Sequence, residues 1–167
     1  MWEGKPRAQQ GALRTDGKRF AIIASRWNEV LVDKLVDGAV DALEGAGASG
    51  IDIDIEVFRC PGAFEIPGLA RRVVDTNRFH GVICLGVVIR GATPHFDMVV
   101  GQATTGVGHI AREAKVAVGF GVLACENIQQ ATERAGGKDG NRGFDAAAVA
   151  IEMAYLYAEL TGMPATK

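Results

Sequence analysis

The feature that most constrains this chain is an alternation of two apolar patterns. Short, almost unbroken apolar runs trade places with longer segments whose apolar residues recur every three or four positions. Phe20–Ala24 and Val82–Ile89 are runs of the first kind, as expected of strands buried on both faces. Ile51–Phe58, where Ile and Val alternate with acids, and Val116–Leu123 supply two more strands. Between the first two strands, Leu31, Leu35, Ala39, Ala42 and Ala46 recur at helical spacing. Asn28 reads as the N-cap of that helix and Gly47 as its stop. The same spacing predicts helices over Ile66–Asp75, with Pro67 tolerated in the first turn, and over Phe96–Ala114. A short helix follows over Asn127–Ala135, and a long one over Asn141–Leu160. Successive β–α units with no repeat or linker predict an α/β fold, a three-layer sandwich whose four-stranded parallel sheet is flanked by helices.

At 167 residues the chain suits one domain, placed at 18–160. Residues 1–17, polar and rich in Gly, Gln and Arg, are expected to form a flexible arm, and 161–167 a tail. A formal net charge of −2 leaves no electrostatic footprint for nucleic acid. No apolar run approaches the roughly 20 residues that cross a bilayer, so no membrane partner is expected. Met1-Trp-Glu-Gly-Lys-Pro-Arg7 has no apolar core of a signal peptide, so the expectation is a cytoplasmic protein. Cys60, Cys84 and Cys125 lie far apart, without C-x-x-C spacing, and read as buried thiols rather than a disulfide or zinc framework.

In an open parallel sheet, ligands bind beyond the carboxyl ends of the strands. Those ends carry Ser25-Arg-Trp-Asn28, Cys60-Pro-Gly-Ala-Phe-Glu65, Arg90-Gly-Ala-Thr-Pro-His95 and Cys125-Glu-Asn127. In the third, Thr93 reads as an N-cap, Pro94 as the first helical residue, and Asp97 as a charge that complements the helix dipole. Opened by Gly91, this helix start is an anion site, or simply a helix start. Of the three histidines, only His95 falls at the strand ends, where it reads as a proton shuttle or as a structural residue.

The loop Ala63-Phe64-Glu65 offers unpaired backbone N–H groups and a carboxylate for polyol hydroxyls. Glu65 serves equally as a favourable charge in a first helical turn. Trp27 offers a ring for stacking on a heterocycle, or for packing. Arg134 and Arg142 are candidate phosphate cations, although cations at helix ends are common for dipole reasons alone. Gly119 and Gly121 flank Phe120, which suggests close approach of a ligand or another backbone, or a bulge. Dinucleotide and NTP-binding glycine loops are missing, as are metal-ligand spacing and a nucleophile elbow. The residues alone thus point to a site for a phosphorylated, polyhydroxylated, aromatic-stacked ligand, with one histidine able to move protons.

Over Lys18–Leu160 the chain resembles the lumazine synthase family. The resemblance rests on Pro61-Gly-Ala-Phe-Glu-Ile-Pro67, Gly86-Val-Val-Ile-Arg-Gly-Ala-Thr-Pro-His-Phe-Asp97, Phe120-Gly-Val-Leu123, Glu126-Asn127 and Arg134-Ala-Gly136. It implies a flavodoxin-like domain and a transferase of riboflavin biosynthesis. That enzyme condenses 5-amino-6-(D-ribitylamino)uracil with 3,4-dihydroxy-2-butanone 4-phosphate, through a Schiff base, loss of phosphate and ring closure, with no metal or organic cofactor. His95 then corresponds to the proton-transfer residue. Trp27 and Phe120 flank the pyrimidine, Ala63, Phe64 and Glu65 hold the ribityl chain, and Val87, Val88 and Ile89 bond the ring edge through backbone groups. Ala92, Thr93, Arg134 and Arg142 correspond to the phosphate site. The resemblance also implies a homo-oligomer, a pentamer or a multiple of pentamers, with sites shared between neighbours. Small residues on the helix that begins near Phe96 (Gly101, Ala103, Gly106 and Gly108) read as a surface for close packing against a symmetry mate. Arg142 stands where a lysine is usual and Trp27 where phenylalanine is commoner, while Cys60 and Ala124 depart from frequent residues. None of these changes removes a group the chemistry needs. A flavin- or lumazine-binding paralogue with weak catalysis is the alternative reading.

Overall fold

A computed structural model describes residues 8–49 and 54–162. The elements follow in the predicted order: β1 (Phe20–Ser25), α1 (Glu29–Gly45), β2 (Ile55–Cys60), a 3-10 turn (Ala63–Glu65), α2 (Ile66–Asp75), β3 (Gly81–Ile89), α3 (His95–Glu113), β4 (Ala117–Cys125), α4 (Ile128–Arg134) and α5 (Arg142–Thr161). A small antiparallel pair, β5 (Ala135–Gly137) and β6 (Gly140–Asn141), joins α4 to α5. The sequence reading does not foresee this pair, whose two- and three-residue strands carry no periodicity to read.

The main sheet has the order β2-β1-β3-β4, and its strand pairs are all parallel. The chain leaves β1 toward one side, forms β2, and returns to form β3 on the other side. That reversal opens a crevice above the carboxyl ends of the strands. Every residue of β1 is buried, and the period of two distributes them between layers. Phe20, Ile22 and Ala24 join the core under α1 and α5, while Ala21 and Ile23 join the core under α2 and α3.

Several boundaries differ from the sequence reading for identifiable reasons. Of the strand expected over 51–58, residues 51–53 lie outside the described residues. The rest runs on to Cys60 because each residue from Ile55 to Cys60 pairs in register with Phe20–Ser25. Asn28 occupies the N-cap position of α1 as read, but in the left-handed region at φ 60° and without a side-chain capping bond. Thr93 does not cap; Pro94 occupies the N-cap position of α3, without a side-chain bond. The long helix expected from Asn141 does start there, with Asn141 as its N-cap. The Asn141 side-chain oxygen accepts from the Gly143 and Phe144 N–H groups at 2.8 and 3.2 Å, and Arg142 opens α5.

Of the arm expected over 1–17, residues 1–7 lie outside the described ones, and most of 8–17 is exposed, with contacts to the body at a few points. Thr15 is buried and its N–H donates to the Ala46 carbonyl at 3.0 Å. Arg14 and Lys18 each lie 5.5 Å from the centre of the Tyr155 ring. The glycines beside Phe120 answer to a backbone, the chain's own. A Cβ at Gly119 would collide with the Ala146 carbonyl, and one at Gly121 would lie 2.6 Å from Leu85 Cδ2. The alanine face of α5 (Ala146, Ala147, Ala150, Ala154) thereby seats directly on β4.

Among the described residues, no helix is long and apolar enough to cross a membrane. None of their His, Cys, Asp and Glu side chains form a group of three or more able to hold a metal. The three cysteines are free and buried.

Candidate active site

The crevice at the strand reversal holds a cavity of about 640 Å³, walled by the loops that follow β1, β2 and β3. Three main-chain and side-chain ties set its shape. The N–H groups of Arg26 and Trp27 donate to the carbonyls of Cys60 and Pro61 at 2.8 and 3.0 Å, which straps the first loop to the second. Asn28 Nδ2 donates to the Val87 carbonyl at 2.8 Å, which straps the first loop to the end of β3. Asparagine is the non-glycine residue best suited to positive φ, and here the turn frees its amide to reach across to β3.

Trp27 projects from the first loop and is 74% exposed, so its ring face is available inside the cavity wall it helps form. In the second loop, Ala63 and Phe64 open the 3-10 turn, whose first N–H groups have no intrahelical partners. One oxygen of Glu65 accepts from the Gly62 N–H at 2.9 Å. A carboxylate has further lone pairs, so Glu65 shapes this loop and still presents an acceptor to the cavity. Beneath it, Cys60 is buried, and burial, with the nearby Glu65 carboxylate second, pushes its thiol above the ordinary range. It is therefore a packed group rather than a nucleophile.

Val87, Val88 and Ile89 form the cavity's floor at the end of β3. The Val87 carbonyl already accepts from Asn28, but a carbonyl can accept twice. Thr93 and His95 line the remaining side. His95 is the first residue of α3 and is exposed, with the partnerless N–H groups of a 19-residue helix beside it. Ala92 is exposed between the lining residues Gly91 and Thr93, without lining the cavity itself.

Three predicted site residues lie away from this cavity. Phe120 is 45% exposed on the edge strand β4. Arg134 ends α4, its Nη1 donating to the Gln130 carbonyl at 3.0 Å and lying 3.6 Å from Asp139. Arg142 pairs with Asp145 at 2.9 Å on the first turn of α5. One chain thus brings together the Trp27 ring, the Glu65 carboxylate, the start of α3 and His95, with Arg134 and Arg142 elsewhere. Sequence reasoning missed the organising residues Asn28 and Arg90. Both bond to residues far along the chain, Asn28 to Val87 and Arg90 to Cys125 and Glu126, and such pairings leave no local signal.

An α/β domain with a preformed apolar cavity at its strand reversal, edged by a few polar groups and a helix start, defines a small-molecule-binding protein of the enzyme type. The profile of the 6,7-dimethyl-8-ribityllumazine synthase family matches residues 17–158, and the chain belongs to that family. A 6,7-dimethyl-8-ribityllumazine synthase of Desulfotalea psychrophila is 52% identical over 151 residues, covering 90% of this chain and 96% of its own. Its counterpart in Chlorobaculum tepidum is 48% identical over the same shares. One from Anaeromyxobacter sp. strain K is 48% identical over 158 residues, 95% of this chain and 96% of its own. The chain is accordingly an enzyme, a transferase.

Proposed function

We propose that this protein forms 6,7-dimethyl-8-ribityllumazine by condensing 5-amino-6-(D-ribitylamino)uracil with 3,4-dihydroxy-2-butanone 4-phosphate, releasing phosphate and water, in the cytoplasmic synthesis of riboflavin. One observation carries the reading: Trp27, Glu65, Val87–Ile89 and His95 at its helix start all line one cavity. The pyrimidine stacks on Trp27 and bonds its edge to the backbone of Val87, Val88 and Ile89. Its ribityl chain runs along Ala63, Phe64 and Glu65. The phosphate of the second substrate meets the N–H groups at Ala92 and Thr93.

The amine of the pyrimidine attacks the ketone to give a Schiff base. Water leaves as that imine forms; phosphate is then eliminated, and the ribityl-bearing amine closes the second ring on the remaining carbonyl with loss of a second water. His95 moves the protons that these steps exchange, which typically contributes about 10²–10⁴-fold. Holding two substrates in register contributes several kcal/mol more. The reading requires no metal or organic cofactor.

Phe120, Arg134 and Arg142 complete the site in trans, from the adjacent copy in a pentamer or a multiple of pentamers. Their position outside the cavity of their own chain supports this. The small residues of α3 support it in part. Ala103 is buried within the chain. A Cβ on Gly106 would lie 2.5 Å from the Pro67 Cβ, whereas Gly101 and Gly108 face open space. Only the latter two are free to meet a symmetry mate.

The test mixes both substrates with purified protein, with and without EDTA, and follows lumazine absorbance and fluorescence. Product formation unaffected by EDTA is expected. A protein that binds riboflavin yet forms no lumazine would instead be a binding paralogue.

A further inference from the structure

The turn from Gly91 to Pro94 supplies the proposed anion corner and delivers His95, yet every residue from Gly91 to His95 is exposed. No atom lies within 4 Å of where a Cβ on Gly91 would be. Among the described residues, no side-chain hydrogen bond reaches 91–95. What restrains the turn lies immediately before it, at Arg90.

The Arg90 N–H donates to the Cys125 carbonyl at 2.9 Å. Its Nε donates to Glu126 Oε2 at 2.8 Å, and its Nη1 lies 3.4 Å from Asp97 Oδ2. The guanidinium also sits 4.2 Å from the centre of the Phe96 ring, and Phe96 lines the cavity. One side chain thus joins the end of β3, the first turn of α3 and the loop after β4. A planar guanidinium can serve two carboxylates and a ring face at once, whereas an ammonium acts as a point charge.

We propose that Arg90 is a positioning residue: its guanidinium clamps the start of α3 and offsets part of the negative charge of Asp97 and Glu126, so that the Ala92 and Thr93 amides and His95 stand ready for the phosphate-bearing substrate. This rests on the function proposed above. Without the cation, two uncompensated carboxylates border the anion corner, and the turn loses its side-chain anchor. The pyrimidine half of the cavity, held by Asn28 and by the Arg26 and Trp27 amides, keeps its own ties.

The experiment compares wild-type protein with Arg90→Gln and Arg90→Lys. In Arg90→Gln, the KM for the butanone phosphate rises about tenfold, because the amides that meet the phosphate lose their fixed placement and face two uncompensated carboxylates. Its kcat also falls, while the KM for the pyrimidine stays put. Arg90→Lys restores part of the loss. Inorganic phosphate, used as a probe in calorimetry, binds about tenfold more weakly to Arg90→Gln, and amide hydrogens of residues 92–96 exchange faster. Equal rises in both KM values, or unchanged phosphate binding and exchange, would overturn the proposal. Should Arg90→Gln not fold, Glu126→Gln releases the same clamp from its other side and must speed the same amides. Phosphate binding and exchange are read without turnover, so a wild-type protein that makes no lumazine defeats the proposed reaction and leaves the clamp to stand or fall by itself.

Discussion

At the scale of single residues, His95 and Trp27 separate chemistry from binding. His95→Ala should lower turnover roughly 10–1,000-fold while pyrimidine binding stays nearly intact, since only proton movement is removed; steady-state kinetics with calorimetry of the pyrimidine checks both halves. Trp27 should report the ligand directly: riboflavin quenches tryptophan fluorescence, and Trp27→Ala abolishes most of that quenching. The other tryptophan, Trp2, lies outside the described residues and is expected to give a ligand-insensitive background. A third residue acts on stability. His80 Nδ1 accepts from the Arg19 N–H at 3.0 Å, and burial, followed by the charge of Lys18, lowers the imidazole's pKa. The folded state thus favours the neutral ring, while the unfolded chain takes up a proton near the ordinary value of about 6.5. Stability is therefore full above that value and declines as pH falls toward the lower folded value. Urea midpoints at about pH 7.5 and about pH 5.5 should differ less in His80→Asn, which keeps an acceptor for Arg19, than in the wild type.

Between elements, contact is set by missing side chains as much as by present ones. At the start of α5, a Cβ on Gly143 would collide with the Leu35 carbonyl of α1, and one on Gly38 would strike the Asn141 side chain that caps α5. Asn141 Nδ2 in turn donates to the Lys34 carbonyl at 2.8 Å. The two helices are thus keyed together at backbone distance. Gly143→Ala should cost about 1–3 kcal/mol, the usual penalty of overpacking, read as a lower urea midpoint. An unchanged midpoint would mean that α5 slides freely along α1. The kinds and order of the helices and of the main strands were legible in the periodicity, and α2 was legible to the residue. The side-chain bonds at two helix entries were not. Asn28 and Thr93 have cap-forming side chains, but what each side chain bonds depends on which remote carbonyl or amide lies in reach.

For the whole molecule, the proposed sharing of sites makes assembly a condition of activity. Light scattering should give a mass of about five chains or a multiple of it, and an active monomer or dimer at micromolar concentration would refute shared sites. Complementation is a stricter measurement. His95→Ala and Arg134→Ala chains, each weak alone, should recover activity when dissociated and reassembled together. About a quarter of randomly formed interfaces then pair an intact His95 with a neighbour's intact Arg134. Residues acting within one chain would show no such recovery.

Apolar periodicity is local, and it sufficed for the α/β class and for placing the candidate loops at the carboxyl ends of the strands, while cysteine spacing sufficed for buried thiols. The long motifs carried the family. Folding in three dimensions decided what pairs across distance: the order β2-β1-β3-β4, and hence where the crevice opens. It also decided that Asn28 braces β3, that Gly119 and Gly121 admit α5, and that Phe120, Arg134 and Arg142 stand apart from the cavity of their own chain. The physical reason is that burial leaves a periodic mark on a chain at short range. A hydrogen bond between residues 59 apart, such as that of Asn28 to Val87, leaves no such mark until the strands are in register.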